Sequence, residues 1–233
     1  MLATIVGADC ARHSALMEKI WRFRHEQFVE RLGWEAIRRA DGREIDQFDT
    51  DDAIHLPLIV GDKVVGYTRL LPTLAPHLLS DVYPHLMDGR DWPRGPRVYE
   101  WTRCIAEASD TKIGGVPISN ALMTAVLEYA LIAGIEQLIV QTHPKLVNLL
   151  IGTGWTVTPL AAPSVLDGSL IVPICAVPSA RALVKHHELY NITGSLVDLE
   201  RAHGNPFGPE RLKRLAHVGE LHGVVEYQRL AGE

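Results

Sequence analysis

Residues 97–106 place charged side chains inside a stretch that otherwise has the composition of a buried β-strand. Its β-branched and aromatic residues predict the strand, and Pro96 and the polar run 107–110 bound it. Glu100 and Arg103 lie in its interior, and burying ionised groups is costly unless they are paired or hydrogen-bonded. Regular strands alternate their side chains, so these two would point to opposite faces. A β-bulge would turn both toward one cleft, whereas an internal salt bridge or a solvated edge strand explains them equally well.

The composition predicts a folded domain and excludes several classes of protein. The 233 residues are 47% hydrophobic and 22% charged, and no run approaches the roughly 20 apolar residues of a membrane-spanning helix. The first residues lack the basic and apolar regions of a secretion signal. A net charge of −5 without a dense basic stretch argues against a general nucleic-acid binder.

The sequence contains no recognisable metal or cofactor motif. The 11 histidines are scattered, and the pair His186-His187 lacks the i, i+4 spacing of a zinc protease. No GxGxxG follows a predicted strand, and there is no P-loop. The three cysteines are widely spaced without a CxxC pair, which suits the reducing cytoplasm. We therefore expect no metal, no cofactor and a cytoplasmic location.

The hydrophobic periodicity predicts an α/β domain with a mixed sheet flanked by helices. The predicted elements are a strand at 3–6, an amphipathic helix at 12–31, a hairpin at 54–71, the strand at 97–106, a helix between Pro117 and Gly134, strands at 135–142 and from 154, a short helix from Pro144, and a last strand at 169–177. We expect one domain over residues 1–178 and a helical extension over 179–233, packed on the domain or involved in partner contacts.

A long loop over residues 32–53 carries a string of acids. The acids are Glu44, Asp46, Asp49, Asp51 and Asp52. A loop of this length inside a compact domain is usually functional or disordered, and the large apolar groups of this one argue against disorder. The acids alone would more often be a solvated loop, so the functional interpretation depends on what they share with the rest of the chain.

Residues of uncommon type along the chain fall in the order and spacing of a known signature. They are Arg24, Phe28, Trp34, Asp46, Asp49, Arg69, Glu100 and Arg103. The surrounding segments 48–53, 64–73 and 99–103 agree as well. On these motifs residues 10–178 resemble the LuxI-type autoinducer synthases, the acyl-homoserine-lactone synthases.

The resemblance implies a three-layer fold similar to the GNAT acyltransferases, with a twisted sheet that opens to admit an acyl-phosphopantetheine arm. It implies acyl transfer from acyl-CoA or acyl-carrier protein to the amine of S-adenosylmethionine. Lactonisation would then release methylthioadenosine and an N-acyl-homoserine lactone, a quorum-sensing signal. Two alternatives stay open: a GNAT N-acyltransferase that acts on another amine, and a non-catalytic sensor of S-adenosylmethionine or an acyl thioester. No nucleic-acid or membrane partner is implied.

The side-chain chemistry agrees with a sulfonium amino acid as substrate. Phe28 and Trp34 can attract the sulfonium by cation–π interaction. A guanidinium can bind the substrate carboxylate bidentately, and the resemblance makes Arg24, Arg69 and Arg103 the candidates. Backbone N–H groups at a bulge could polarise the thioester carbonyl.

Glu100 is the expected base for the amine, acting through water, and Arg103 is the second expected catalytic residue. Asp46 and Asp49 are expected to hold the substrate and orient the arginines. The full expected substrate-binding set comprises Arg24, Phe28, Trp34, Asp46, Asp49, Arg69, Trp101 and Thr102.

The acyl pocket is expected between the long helix and the following strand. Its expected lining residues, each an equally good core residue, are Met123, Val126, Leu127, Thr142, Leu146 and Leu150. Trp101 is bulky where the family often has a smaller residue, so it would shorten or reshape this pocket. His55 stands where the family often has tyrosine.

Two features bear on the acyl donor. The segment 145–151 has one basic residue, which makes acyl-CoA at least as good a donor as the acidic carrier protein. Residues 112–115 precede the long helix and could receive the CoA pyrophosphate, although an ordinary glycine-rich turn explains them too.

Overall fold

The computed structural model describes residues 1–203, with side chains up to residue 198. The strands are β1 (Leu2–Val6), β2 (Ile54–Val60), β3 (Lys63–Pro72), β4 (Val98–Ala106), β5 (Lys112–Ile113), β6 (Val116–Pro117), β7 (Gln137–Thr142), β8 (Thr156–Pro159), β9 (Ser164–Leu166), β10 (Ser169–Val177) and β11 (Val197–His203). The helices are α1 (Ser14–Arg24), α2 (Leu78–Asp81), α3 (Ile118–Ala133), α4 (Pro144–Gly152) and α5 (Ala180–Tyr190). Among these residues no helix is long and apolar enough to cross a membrane.

The main sheet has the strand order β11-β1-β2-β3-β4-β7-β10-β8, with β9 paired to β10. The pairs β1–β11 and β4–β7 are parallel, and the others are antiparallel. The hairpin β5–β6 stands apart as a second, two-stranded sheet. The predicted mixed sheet with helices on its faces is confirmed.

One face of the sheet is covered by α1, because its apolar residues recur at helical spacing. Met17, Ile20 and Phe23 are buried and pack in one cluster with Tyr67 of β3. The predicted helix over 12–31 is confirmed, but its last part, His25–Arg31, is wound as a π-helix. Such turns change which face a helix presents and are frequent at functional sites.

The opposite face is covered by α3, which is apolar nearly all round because the sheet lies below it and α5 packs against it. The helix ends at Gly134, whose φ of 68° is the left-handed conformation that glycine adopts without steric cost.

The sheet opens in its middle, between β4 and β7. These strands pair only at Val98–Gln137, Tyr99–Leu138 and Glu100–Ile139. Beyond Glu100, β4 has no strand partner on that side within residues 1–203. The two parallel strands therefore separate toward their C-terminal ends, as the resemblance implied for the acyl-phosphopantetheine arm.

The C-terminal part differs from the expectation of a helical extension. Residues 180–190 are helical, but residues 197–203 form β11, which pairs with β1, so the strand at 169–177 is not the last one. The buried Glu128 of α3 accepts a hydrogen bond from the Leu196 amide (2.9 Å) and anchors the start of this strand. Residues 204–233 of the expected extension lie outside the described residues, and the division at 178 stays a prediction.

Candidate active site

β4 contains a bulge at Arg103, the second of its two charged residues, and a bulge was one of the alternatives that the sequence left open. Tyr67 pairs with Ile105 and Arg69 with Thr102, so β4 has one more residue than β3 over this interval. Arg103 takes up the extra length with a φ of 55°, a conformation that is uncommon outside glycine. As a result its side chain joins those of Arg69 and Thr102 on the α1 side of the sheet.

A network of three arginines and three acids lies under this bulge. Its guanidinium groups come from α1, β3 and β4, and its carboxylates come from the acidic loop. Arg24 bonds Glu44 and Asp49 (Nη1–Oδ1 2.7 Å). Arg69 holds Asp46 through two bonds of 2.7 and 2.9 Å and also bonds Asp49 at 2.7 Å. The predicted grouping of Arg24, Asp46, Asp49 and Arg69 is thus present, and we call it the ion cluster together with Glu44 and Arg103.

The ion cluster balances its charges, which is what permits its burial. Arg103 completes it by bonding Asp46 (2.8 Å) and Glu44 (3.2 Å) through Nη2. Burial by itself would raise the pKa of Asp49, but Arg24 and Arg69 outweigh this and hold that pKa well below its usual range. Asp49 therefore stays ionised and holds Arg24 and Arg69 in place.

Below the ion cluster, Tyr67 and His55 form a buried neutral layer. The Tyr67 hydroxyl lies 2.7 Å from His55 Nδ1. Burial lowers the pKa of His55 from 6.5 to about 4 and raises the pKa of Tyr67. His55, which stands where the family often has tyrosine, is thus an uncharged buried side chain packed below the acids.

This neutral histidine predicts a pH dependence of stability. Between pH 6.5 and about 4, His55 is protonated in the unfolded chain but neutral in the folded one. The free energy of unfolding therefore falls as the pH drops through this window, by about 3 kcal/mol in all. In His55→Gln we expect a shallower fall in urea unfolding free energy. The buried His186, whose pKa is also lowered to about 4, keeps its own share of the slope. The exposed His85→Gln serves as control, and a slope unchanged in His55→Gln would contradict the assignment.

Phe28 and Trp34 form an aromatic wall beside the ion cluster. Their ring centroids are 4.8 Å apart, and the Arg103 guanidinium lies 5.5 and 5.6 Å from them. The π-helical turn carries Phe28, and Trp34 follows it with 43% of its surface exposed. The cation that both rings hold in this structure is Arg103, and the exposed part of Trp34 is open to a second cation.

Glu100 is fully buried outside the ion cluster. Its two oxygens accept hydrogen bonds from the Leu78 amide (2.7 Å) and the Leu79 amide (2.9 Å) at the start of α2. Within the described residues no arginine or lysine lies within 4.0 Å of it. Every other acid that the sequence assigned to the site is bound to arginine, so Glu100 alone combines burial with lone pairs that are not committed to a cation.

Trp101, expected among the substrate-binding residues, lies on the opposite face of the sheet from Thr102. Its Nε1 donates to Thr68 Oγ1 (2.7 Å), and its ring stacks on Trp155 with centroids 5.7 Å apart. The Thr68 hydroxyl in turn donates to the Thr102 carbonyl at the bulge (2.9 Å). Trp101 therefore does not join the ion cluster but adjoins the α3 core, where a role toward the acyl group stays a prediction.

The residues expected to line the acyl pocket belong to that same core. Met123, Val126, Leu127 and Leu150 are buried in one cluster with Trp101 and Trp155, and Leu146 packs on its edge. Thr142 ends β7 and is half-buried. The structure thus places these residues beside the gap between β4 and β7 but packs most of them as core.

Two residues that sequence reasoning did not single out are close to the chemistry. Glu44 is buried and binds two arginines, whereas Asp51 and Asp52 of the same acidic run are exposed. Nothing in the sequence separates the buried acid from the exposed ones. His77 lies 3.3 Å from Glu100 and had no motif to mark it. Among the described residues no group of His, Cys, Asp and Glu could hold a metal ion.

Comparison with known proteins places the chain in a family. Residues 9–185 match the family model described as autoinducer synthase. The isovaleryl-homoserine lactone synthase of Bradyrhizobium diazoefficiens is 34% identical over 169 residues, which cover 72% of this chain and 76% of that protein. The acyl-homoserine-lactone synthase of Acinetobacter nosocomialis is 30% identical, over 70% of this chain and 93% of that one.

A solved structure agrees in fold and in sequence. The CoA-dependent acyl-homoserine lactone synthase BjaI, with S-adenosylmethionine and isopentyl-CoA, superposes with a TM-score of 0.78 at 30% identity, over 93% of this chain and 98% of that one. The sequence signature, the opened sheet and these matches agree with one another. This chain therefore belongs to the autoinducer synthase family and is an acyl-homoserine-lactone synthase.

Proposed function

We propose that the chain acylates the amine of S-adenosylmethionine at the face of β4 that carries the bulge, with Glu100 as the general base. The observation that carries this proposal is the contrast between Glu100 and the other acids of the site. Glu44, Asp46 and Asp49 are each committed to arginine, whereas Glu100 is held only by backbone amides and a histidine. A base needs lone pairs that are free to accept a proton, and this carboxylate has them.

The edge of the ion cluster supplies the groups that would hold the amino-acid part of the substrate. Arg24 and Arg69 are fully buried, but the Arg103 side chain is 9% exposed and that of Asp46 12%. Arg103 Nε is buried without a partner among the described residues. We assign Arg103 to the substrate carboxylate and Trp34 to the sulfonium, because these groups border the open side of the cluster.

The two chemical steps follow from this placement. Glu100 takes a proton from the substrate ammonium, through a water, and the free amine attacks the thioester carbonyl to give a tetrahedral oxyanion. N–H groups at the bulge would stabilise this oxyanion. Its collapse breaks the C–S bond, and the departing thiolate takes up the proton that the new amide nitrogen loses. The substrate carboxylate then attacks the carbon bonded to sulfur, and the neutral thioether leaves as methylthioadenosine. Orienting such an intramolecular attack is worth effective molarities of roughly 10⁵ M or more.

We further propose a short branched acyl-CoA as donor. The Bradyrhizobium relative is named an isovaleryl-homoserine lactone synthase, and the BjaI structure contains isopentyl-CoA. On this chain, Lys145 is the one basic residue of α4, and Leu149 and Ile151 of the same helix are exposed. Such a surface offers little attraction to an acidic carrier protein. Lys112 in the β5–β6 hairpin is a candidate contact for the CoA phosphates.

The Trp101–Trp155 stack predicts the acyl-chain preference. Replacing the indole ring in Trp101→Leu opens space at the end of the α3 core. Each additional methylene of the acyl chain that is buried there contributes about 0.8 kcal/mol to binding. We therefore expect the ratio of kcat/KM for octanoyl-CoA over isovaleryl-CoA to rise about tenfold or more. Trp21→Leu, on the other face of the sheet, is the matched control. An unchanged ratio in Trp101→Leu would show that this stack does not line the acyl pocket.

We also propose a cytoplasmic location. Cys10, Cys104 and Cys175 are all unpaired in the structure, as expected in a reducing compartment, and acyl-CoA is an intracellular donor.

The proposed function is tested by product analysis. The purified full-length chain is incubated with S-adenosylmethionine and the same isovaleryl group carried on CoA or on acyl-carrier protein. We expect methylthioadenosine and isovaleryl-homoserine lactone in equal amounts, with CoA as the better donor. Thioester cleavage without methylthioadenosine would instead indicate an N-acyltransferase for another amine. Binding without turnover of any thioester would indicate a sensor. Turnover with the carrier-protein thioester but not with the CoA ester would contradict the assignment of acyl-CoA as the donor.

A further inference from the structure

His77 lies against the proposed base and outside the ion cluster. It is the residue before α2, the short helix whose first two amides bind Glu100. Its Nδ1 is 3.3 Å from Glu100 Oε2, and its side chain is 1% exposed. The backbone segment that orients the Glu100 carboxylate therefore also places the His77 imidazole beside Glu100 Oε2.

The ring of His77 makes few other contacts in the described structure. Its side chain faces the Ser80 amide in a capping box at the start of α2, but neither ring nitrogen has a close hydrogen-bond partner among the described residues. The ring meets Trp92 edge-on with centroids 6.0 Å apart. Buried polar groups nearly always find a partner, so an unsatisfied imidazole beside a buried carboxylate calls for a reason. Packing alone would be served by an apolar side chain.

The surroundings make His77 and Glu100 a pair. Among the described residues Glu100 is the only acid within 4.0 Å of His77, and His77 is the only basic group within 4.0 Å of Glu100. The other charged groups nearby are Asp81, whose amide donates to the His77 carbonyl, and Arg94, which lies on the Trp92 ring 4.2 Å from its centroid. Neither of these groups bonds the His77 imidazole or the Glu100 carboxylate.

The chemistry of the contact defines which proton His77 carries. Two lone pairs facing each other at 3.3 Å in a buried site would repel, whereas an Nδ1–H directed at Oε2 attracts. We therefore expect the neutral ring to carry its proton on Nδ1.

We propose that His77 is a positioning residue that fixes the orientation of the proposed base Glu100. The Nδ1 contact at 3.3 Å would add a third polar contact to those of the Leu78 and Leu79 amides and leave the remaining lone pairs of Glu100 for the substrate amine. During the reaction the proton passes from the ammonium to Glu100. His77 keeps its own proton and takes no part in bond making or breaking. The inference rests on the proposed role of Glu100.

Two substitutions test whether His77 positions Glu100 or only supports the local fold. His77→Asn keeps a donor near the Nδ1 position and a good helix cap. We expect its kcat to stay within about threefold of wild type, because the side-chain amide can still donate to the carboxylate. His77→Leu removes the donor, and kcat should fall about 10- to 100-fold with the KM for S-adenosylmethionine within about threefold.

Three kinetic outcomes would overturn the inference. They are a His77→Asn variant that loses as much kcat as His77→Leu, a His77→Leu variant with wild-type kcat, and a His77→Leu loss confined to KM. Because the same assay first establishes methylthioadenosine release by the wild type, an inactive wild type would overturn the proposed function separately.

The tautomer gives a test that needs no activity. In ¹⁵N NMR of the full-length chain, with the His77 signals assigned by their absence in His77→Asn, we expect the neutral His77 ring to carry its proton on Nδ1. An Nε2-protonated neutral ring would overturn the inference whatever the kinetics show.

Discussion

Glu100→Gln is expected to lower kcat by about 10²- to 10⁴-fold while the KM for S-adenosylmethionine changes little. The amide keeps the size of the side chain but cannot accept the ammonium proton, and the loss is that of a general base. Arg103, Trp34 and the ion cluster, which would hold the substrate, are untouched by the change. The measurement is steady-state release of methylthioadenosine at saturating acyl-CoA, with substrate affinity measured by calorimetry.

The control for this variant is Glu107→Gln, just beyond the end of the same strand. Glu107 is bound to Lys63 at 2.6 Å and lies away from α2, so its kcat should stay close to wild type. In Glu100→Gln the new side-chain amide also opposes one α2 amide, so a loss of stability of about 1–3 kcal/mol should accompany the kinetic effect. A Glu100→Gln variant that loses affinity but keeps kcat would remove Glu100 as the base.

Arg69→Met is expected to lower the free energy of unfolding by about 3–5 kcal/mol. Arg69 is fully buried and binds Asp46 through two bonds and Asp49 through a third. Removing it leaves two buried acids with less compensation than their desolvation requires, the usual reason why breaking one member of a buried ion network is severe. Urea unfolding at neutral pH measures the loss.

The exposed pair Arg39–Asp41 supplies the comparison for this prediction. Its arginine lies in the same acidic loop but in solvent, so Arg39→Met should leave the unfolding midpoint unchanged. Adding Asp46→Asn to Arg69→Met should recover part of the loss, because one uncompensated charge disappears. A cost of Arg69→Met below about 1 kcal/mol would mean that water solvates the ion cluster.

Much of the architecture could be predicted from local sequence patterns. The hairpin β2–β3, the long helix α3 with its stop at Gly134, and the strand β4 all follow from hydrophobic period and turn residues, which act over short distances. The bulge was one of the alternatives that the sequence left open. Two charges in one buried strand could share a face only through an irregular backbone, and the structure has that irregularity at Arg103.

The features that could not be predicted depend on contacts between distant segments. β11 owes its strand structure to pairing with β1 at the other end of the chain, so its own composition was not enough. The roles of Glu44 and His77 arise from their partners Arg24, Arg103 and Glu100, which are far away in sequence. Trp101 was expected beside Thr102 at the substrate, but strand alternation sends its ring to the α3 core.

The most direct test of this account is a crystal structure of the chain with S-adenosylmethionine bound. The account predicts the substrate carboxylate on Arg103, the sulfonium against Trp34, and the amine within reach of Glu100 through one water. A substrate bound on another surface, or one whose amine faces the ion cluster with Glu100 out of reach, would contradict it.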